Sequence, residues 1–165
     1  MTPEVMYFVE AALAGVTPGA VLEFGARNVN GSPRQLVERI LGPVPYTGVD
    51  LEEGPGVDLV ADMTQDFSRR ASIVLCLETL EHIQNWRAAV NTLKQACDGV
   101  LIVTVPTAVV ARHEYPGDFW RFTRKALGEI FYDGRVERLE RWHDGVGIKV
   151  RPGFNLGAIN LPVVT

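Results

Sequence analysis

The sequence predicts one α/β domain built on a mainly parallel sheet, and three observations predict it. Five short apolar runs alternate with segments of helical periodicity. One of these runs, 71–77 (ASIVLCL), is apolar throughout, as a strand covered on both faces must be. Two alternating segments, 135–142 and 146–151, flank a His143-Asp144-Gly145 turn and read as a closing antiparallel hairpin. A chain of 165 residues, 47% hydrophobic and 22% charged, suits a single domain with a sizeable core.

The elements follow in order. Residues 3–14 carry apolar side chains at helical spacing behind a Thr2-Pro3 start signal, which predicts an N-terminal helix. Val16-Thr17-Pro18-Gly19 breaks it. A first strand covers 20–24 (AVLEF). Ser32-Pro33 opens a helix through Leu41, with serine as cap and proline at the first helical position. Gly42-Pro43 ends it, and 46–51 (YTGVDL) and 57–63 (VDLVADM) follow as second and third strands. Beyond the fourth strand, 71–77, a long amphipathic helix is expected over 80–97. The fifth strand, 99–105 (GVLIVTV), stops at Pro106. A polar and aromatic loop spans 107–122, and Thr123 caps a helix through Tyr132. Right-handed crossovers then place a ligand beyond the carboxyl ends of the strands, beside the first strand.

Composition narrows the partners. A formal net charge of −4 with no long basic run argues against a nonspecific nucleic-acid surface. No signal-peptide pattern and no transmembrane stretch are read, so the expected compartment is the cytoplasm. Cys76 and Cys97 fall in segments that read as buried, so reduced core thiols are expected. Oligomeric state is left open.

The strongest local signal is 21–32 (VLEFGARNVNGS), a buried strand running through Glu23-Phe24-Gly25 into a small-residue loop and a capped helix. Gly25 permits a tight turn and close approach of a ligand to the backbone. The loop is neither a dinucleotide fingerprint, since Arg27 and Asn30 stand where further glycines would, nor a phosphate loop. Glu23 would repel a pyrophosphate and attract a cation such as an ammonium group. Asp50 ends the second strand, where a carboxylate accepts the hydroxyls of a ribose. Asp62, at the end of the third, could accept a bond from an exocyclic amine. Each alone also suits an ordinary solvated strand end; three acids on one rim favour a ligand.

Taken together, VLEFGARNVNGS, YTGVDL, VADM and LCLETLEHI resemble the successive motifs of class I S-adenosylmethionine-dependent methyltransferases, over about 20–151. The segment HEYPGDFWRFT resembles one subgroup, the methyltransferase-domain proteins. The resemblance implies a Rossmann-like three-layer sandwich with a mainly parallel seven-stranded sheet and a C-terminal antiparallel hairpin. It implies an enzyme that moves a methyl group from S-adenosyl-L-methionine to an oxygen or nitrogen, with a small-molecule acceptor as first expectation. Glu23 and Gly25 would bracket the methionine part, and Ala26 and Gly31 would also bind the cofactor. Asp50 would bind ribose, with Leu51 against adenine. Asp62 and Met63 would hold the adenine edge and face, and Leu77 and Glu78 would border the sulfonium. Arg27 departs from the family's second glycine. The implied organisation is one domain over 1–165: an N-terminal helix (1–15), a cofactor-binding half (20–106) and an acceptor side (107–165).

Glu78-Thr79-Leu80-Glu81-His82 carries three readings. Similar segments in ubiquinone-biosynthesis and small-RNA 2′-O-methyltransferases can hold a divalent ion, so Glu78, Glu81 and His82 could ligate magnesium or manganese. They could instead serve as acid and base at the acceptor, with His82 first, His113 second and Glu78 beside them. Or they could pack and cap a helix. From the loop, His113, Tyr115, Asp118, Trp120 and Arg121 are the expected acceptor contacts. Two alternatives remain: a silent protein that binds the cofactor without turnover, and a nicotinamide-binding Rossmann domain.

Overall fold

The computed structural model describes residues 1–111 and 117–154. His113 and Tyr115 lie outside the described residues. Seven strands form one sheet: β1 (Val21–Phe24), β2 (Tyr46–Asp50), β3 (Leu59–Val60), β4 (Ala71–Leu77), β5 (Cys97–Pro106), β6 (Arg135–Arg141) and β7 (Gly145–Arg151). Four helices accompany them: α1 (Pro3–Leu13), α2 (Arg34–Leu41), α3 (Trp86–Ala96) and α4 (Arg124–Ile130). The strand order is β3-β2-β1-β4-β5-β7-β6. Pairs from β3 to β5 are parallel, whereas β7 runs antiparallel to both β5 and β6. The hairpin's second strand therefore enters the sheet, and its first forms the edge.

Alternation along the central strands builds two cores. Leu22, Phe24, Val74, Cys76, Leu101 and Val103 face α3 and α4. Val21, Ile73, Leu75, Leu77 and Ile102 face α1 and α2. Two helical layers cover one sheet, as expected for a three-layer sandwich. Both cysteines are buried and unpaired. No helix among the described residues is long and apolar enough to cross a membrane.

Several boundaries differ from expectation, each for a local reason. β3 holds two residues rather than seven. Asp58 turns its carboxylate to the Gly48 N–H, at 2.8 Å, and Asp62 turns back on Thr64, so neither end stays extended. Asp62 thus lies just beyond β3 rather than at its last residue. The helix expected over 80–97 is divided. Leu80–His82 is a single 3-10 turn, the chain breaks at Ile83, and Asn85 caps α3 by accepting from the Ala88 N–H at 3.3 Å. Cys97 opens β5 instead of closing that helix. Ser32 caps less directly than expected: its hydroxyl accepts from the Arg34 N–H, and Pro33 occupies the cap position. Thr2 and Thr123 cap α1 and α4 through Val5 and Ala126, as their spacing predicts.

Candidate active site

The carboxyl ends of the parallel strands open onto a cavity of about 750 Å³. All ten residues expected to hold the cofactor line it: Glu23, Gly25 and Ala26 from β1 and its loop, Gly31 before α2, Asp50 and Leu51 from β2, Asp62 and Met63 beyond β3, and Leu77 and Glu78 from β4. They converge because β1 lies between β2 and β4, so three strand ends meet at one rim.

Gly25 makes the turn out of β1. Its φ is +77°, and a Cβ there would lie 2.1 Å from Thr79 Oγ1. The Gly25 and Ala26 N–H groups both donate to Val49 O, at 2.9 and 3.1 Å, tying the loop to β2. Arg27 stands where the family has a second glycine, and its place is explained by its partners. Its N–H donates to Asp50 Oδ2 at 3.0 Å, and its guanidinium pairs with Glu52. Asp50 Oδ1 accepts from the Glu52 N–H at 3.3 Å. Two backbone donors thus fix the Asp50 carboxylate at the cavity wall.

Glu23 is 3% exposed and shares the α1–α2 face of the sheet. The Tyr46 hydroxyl donates to its Oε2 at 2.7 Å. Burial pushes its carboxyl up to about 7, against the lowering effects of Tyr46 and Arg34. Asp62 behaves oppositely. The Thr64 N–H and hydroxyl donate to its Oδ1, at 2.8 and 2.7 Å, and hold it below the usual carboxylate range.

At the end of β4, Glu78 has φ +49°, the only positive φ outside glycine among the described residues. A left-handed non-glycine residue costs about 1 kcal/mol or more, which the neighbouring structure must hold in place. Burial pushes Glu78 up to about 7. Glu81 is 1% exposed, and burial, reinforced by the charge on Glu78, pushes it well above the ordinary carboxylate range. Glu81 Oε2 is buried without a hydrogen-bond partner among the described residues, and Glu78 has only the buried Thr104 hydroxyl as a neighbouring donor. His82 Nδ1 bonds to Gly117 O, a carbonyl that can only accept, so Nδ1 carries a proton. Nε2 lies 3.6 Å from Glu81 Oε1.

The expected metal set is not assembled: among the described residues no three His, Cys, Asp or Glu side chains come together to hold an ion. In the 3-10 turn Glu81 is buried and His82 turns its Nδ1 to Gly117 O.

The loop after β5 docks on the same turn. Phe119 and Trp120 N–H groups donate to Glu81 O at 2.8 and 3.3 Å, and Trp120 Nε1 donates to Ile83 O at 3.0 Å. Phe119 reaches the cavity, together with Pro106 and Val110. Asp118, Trp120 and Arg121 do not line it. Asp118 and Arg121 instead pair through both carboxylate oxygens, Nη2 to Oδ2 at 2.6 Å. Trp120 is 38% exposed, and Phe122, edge-on to Trp86 with centroids 5.8 Å apart, is the core anchor.

A family model described as methyltransferase domain matches residues 3–151. The chain belongs to that family. No curated protein matches with significance. Among solved structures it is similar to the magnesium protoporphyrin IX methyltransferase of Synechocystis PCC 6803 with bound S-adenosylmethionine (16% identity, 90% of this chain and 78% of that one, TM-score 0.65). It is similar to a SAM-dependent methyltransferase from Aquifex aeolicus (14%, 90% and 89%, 0.67). It is also similar to the N-methyltransferase NodS from Bradyrhizobium japonicum with S-adenosylhomocysteine (10%, 90% and 85%, 0.66). These likenesses establish a Rossmann-like methyltransferase fold.

In this methyltransferase domain, sequence reasoning missed several cavity residues. Thr64, Thr79 and Asn85 line it beside Met1 and Thr2. The signals were present: Thr64 follows an Asp at turn spacing, and Asn85 precedes an amphipathic run. The helix expected over 80–97 concealed Asn85 by placing it mid-helix.

Proposed function

We propose that this methyltransferase domain binds S-adenosylmethionine in the cavity and passes its methyl group to an oxygen or nitrogen of a small-molecule acceptor. The observation carrying this reading is the convergence of all ten expected residues on one cavity, which is within the size range of ligand sites. Their chemistry fits the cofactor. Glu23 offers a carboxylate to the ammonium group. Asp50, held by the Arg27 and Glu52 N–H groups, keeps lone pairs for the ribose hydroxyls. Leu51 and Met63 supply apolar faces for adenine, and Asp62 an acceptor for its amine. Bound there, S-adenosylmethionine supplies a methyl group already activated by its sulfonium.

The protein's task is then to hold the acceptor in line, which accounts for up to roughly 7–11 kcal/mol in intramolecular analogues. Glu78 borders the reacting centre. His82, its ring oriented by Gly117 O, takes the acceptor's proton. Asp118 and Arg121 act through position, by bracing the loop that carries Phe119. Residues 20–106 form the cofactor half and 107–165 the acceptor side of one domain. The two free, buried cysteines support a reducing compartment, the cytoplasm. The methyltransferase family match leaves the nicotinamide alternative without support.

The test is a melting experiment with S-adenosylhomocysteine. A ligand at 100 times its Kd stabilises by about 2.7 kcal/mol. Asp50→Ala should abolish most of that shift, and no shift in the unmodified protein refutes the reading. Tight binding without methylation of any acceptor is the silent-binder outcome.

A further inference from the structure

The acceptor end of the cavity carries a buried acidic pair of which the cofactor reading uses only Glu78. Two carboxylates meet there, Glu78 at the end of β4 and Glu81 in the following 3-10 turn. Both line the cavity. Glu81 Oε2 is buried and without a hydrogen-bond partner among the described residues, and Glu78 has only the buried Thr104 hydroxyl as a neighbouring donor. Buried polar atoms are seldom left so, and a carboxylate least of all, unless a ligand completes them.

The nearby cations are committed elsewhere. Arg121 acts electrostatically on both glutamates, yet its guanidinium bonds to both oxygens of Asp118 and to Trp120 O. Among the described lining residues the cations are Arg27, paired with Glu52, and the Met1 ammonium, which bonds to Asn30 and acts on Glu78. The same lining includes six acidic side chains: Glu23, Asp50, Glu52, Asp62, Glu78 and Glu81. Among the described residues acids therefore outnumber cations, and an acceptor bearing a carboxylate or phosphate would meet net repulsion. The lining also offers apolar surface, Ile83, Pro106, Val110 and the half-exposed Phe119 ring, beside the polar Thr79, Gln84 and Asn85.

An alcohol has one O–H and no charge, so it satisfies one of the two oxygens and leaves both carboxyls raised toward their protonated forms by burial. A protonated amine brings several N–H donors and a positive charge, and charge-assisted bonds are roughly twice as strong as neutral ones. Resting on the reading that the cavity holds S-adenosylmethionine, we propose that the methyl acceptor is an amine on a mainly apolar body. The ammonium is seated by its N–H groups on Glu78 Oε1 and Glu81 Oε2, with the body against Ile83, Val110 and Phe119. One proton passes to His82 before the freed nitrogen lone pair takes the methyl group and the sulfonium leaves as a neutral thioether.

The experiment is calorimetric titration of the protein saturated with S-adenosylhomocysteine, using benzylamine, benzyl alcohol and benzoate as a shape-matched series at neutral pH. Benzylamine should bind at least about tenfold more tightly than benzyl alcohol, and benzoate should give no heat. Glu81→Gln should bring amine and alcohol within about twofold of each other. Glu78→Gln is the second variant should the first fail to fold, with the same expectation. An alcohol that matches the amine, a preference that survives substitution, or no benzylamine binding overturns the proposal while leaving the cofactor reading intact. Failure of S-adenosylhomocysteine itself to bind overturns both.

Discussion

Replacing Glu23 by glutamine should make the ligand-free protein more stable above pH 7 and change nothing at low pH. Glu23 sits in β1 at 3% exposure, and burial moves its carboxyl from 4.5 to about 7. Each pK unit is about 1.4 kcal/mol, so the shift corresponds to roughly 3 kcal/mol against folding. Below 4.5 both folded and unfolded chains hold the proton, and there is no penalty. Between 4.5 and about 7 the unfolded chain ionises first, so stability falls as pH rises. Above about 7 both states are ionised and the whole penalty remains. Glutamine keeps the shape and an oxygen for the Tyr46 hydroxyl but cannot ionise. The expected gain at alkaline pH is up to roughly 3 kcal/mol, or about 6–12 °C in Tm for a domain of this size. Urea titrations of both proteins across pH, with and without S-adenosylhomocysteine, measure it. Glu78, also near 7, is present in both proteins, so their difference isolates Glu23. The same substitution should weaken the ligand, whose ammonium group it deprives of a charge. A difference that is constant across pH, or a glutamine variant less stable at alkaline pH, refutes the argument.

Three further outcomes are expected. Gly25→Ala should lower Tm and abolish the S-adenosylhomocysteine shift, because φ +77° costs an alanine about 1–2 kcal/mol and its Cβ would overlap Thr79; a wild-type melting curve contradicts this. Asp133→Ala should destabilise by roughly 3–5 kcal/mol, since Lys94 Nζ, 2.7 Å from Asp133 Oδ1, would be left charged in a side chain only 2% exposed. Adding Lys94→Met should recover much of that loss, and no recovery argues against an ion-pair origin. Melting curves in magnesium and in chelator should superimpose, because no three ligands assemble among the described residues; a magnesium-dependent rise that Glu81→Gln removes restores the metal reading.

Much of the site was legible because it lies where apolar strands end in acids. Glu23 and Asp50 are conspicuous at the end of runs that are otherwise buried, and strand length fixes which end of the sheet they reach. β4 was legible residue for residue, since a run apolar on both faces has one plausible place in the sheet. The segment after it was not. Leu80, Ala89, Val90 and Leu93 recur at helical spacing on both sides of the break, and nothing in that pattern marks Ile83 as extended. β3 was overextended for a related reason: its alternation is good, but an edge strand with one neighbour loses to Asp58, whose carboxylate takes the Gly48 N–H of β2, and to Asp62, which bonds back to Thr64.

The loop after β5 shows the same division. Its composition marked it as a mixture of anchors and polar groups, but composition could not sort them. Packing did: Asp118 and Arg121 satisfy each other, Phe122 enters the core, and Phe119 is left facing the cavity. By itself the sequence determined the alternating elements, the acids at the strand ends and the glycine turn, because these follow from side-chain period and local backbone freedom. Only the tertiary structure decided that β7 inserts beside β5, that Arg27 pairs with Glu52, and that Glu78 and Glu81 share one buried corner. Those outcomes depend on which distant groups compete for each charge and hydrogen bond, and that competition has no period in the sequence.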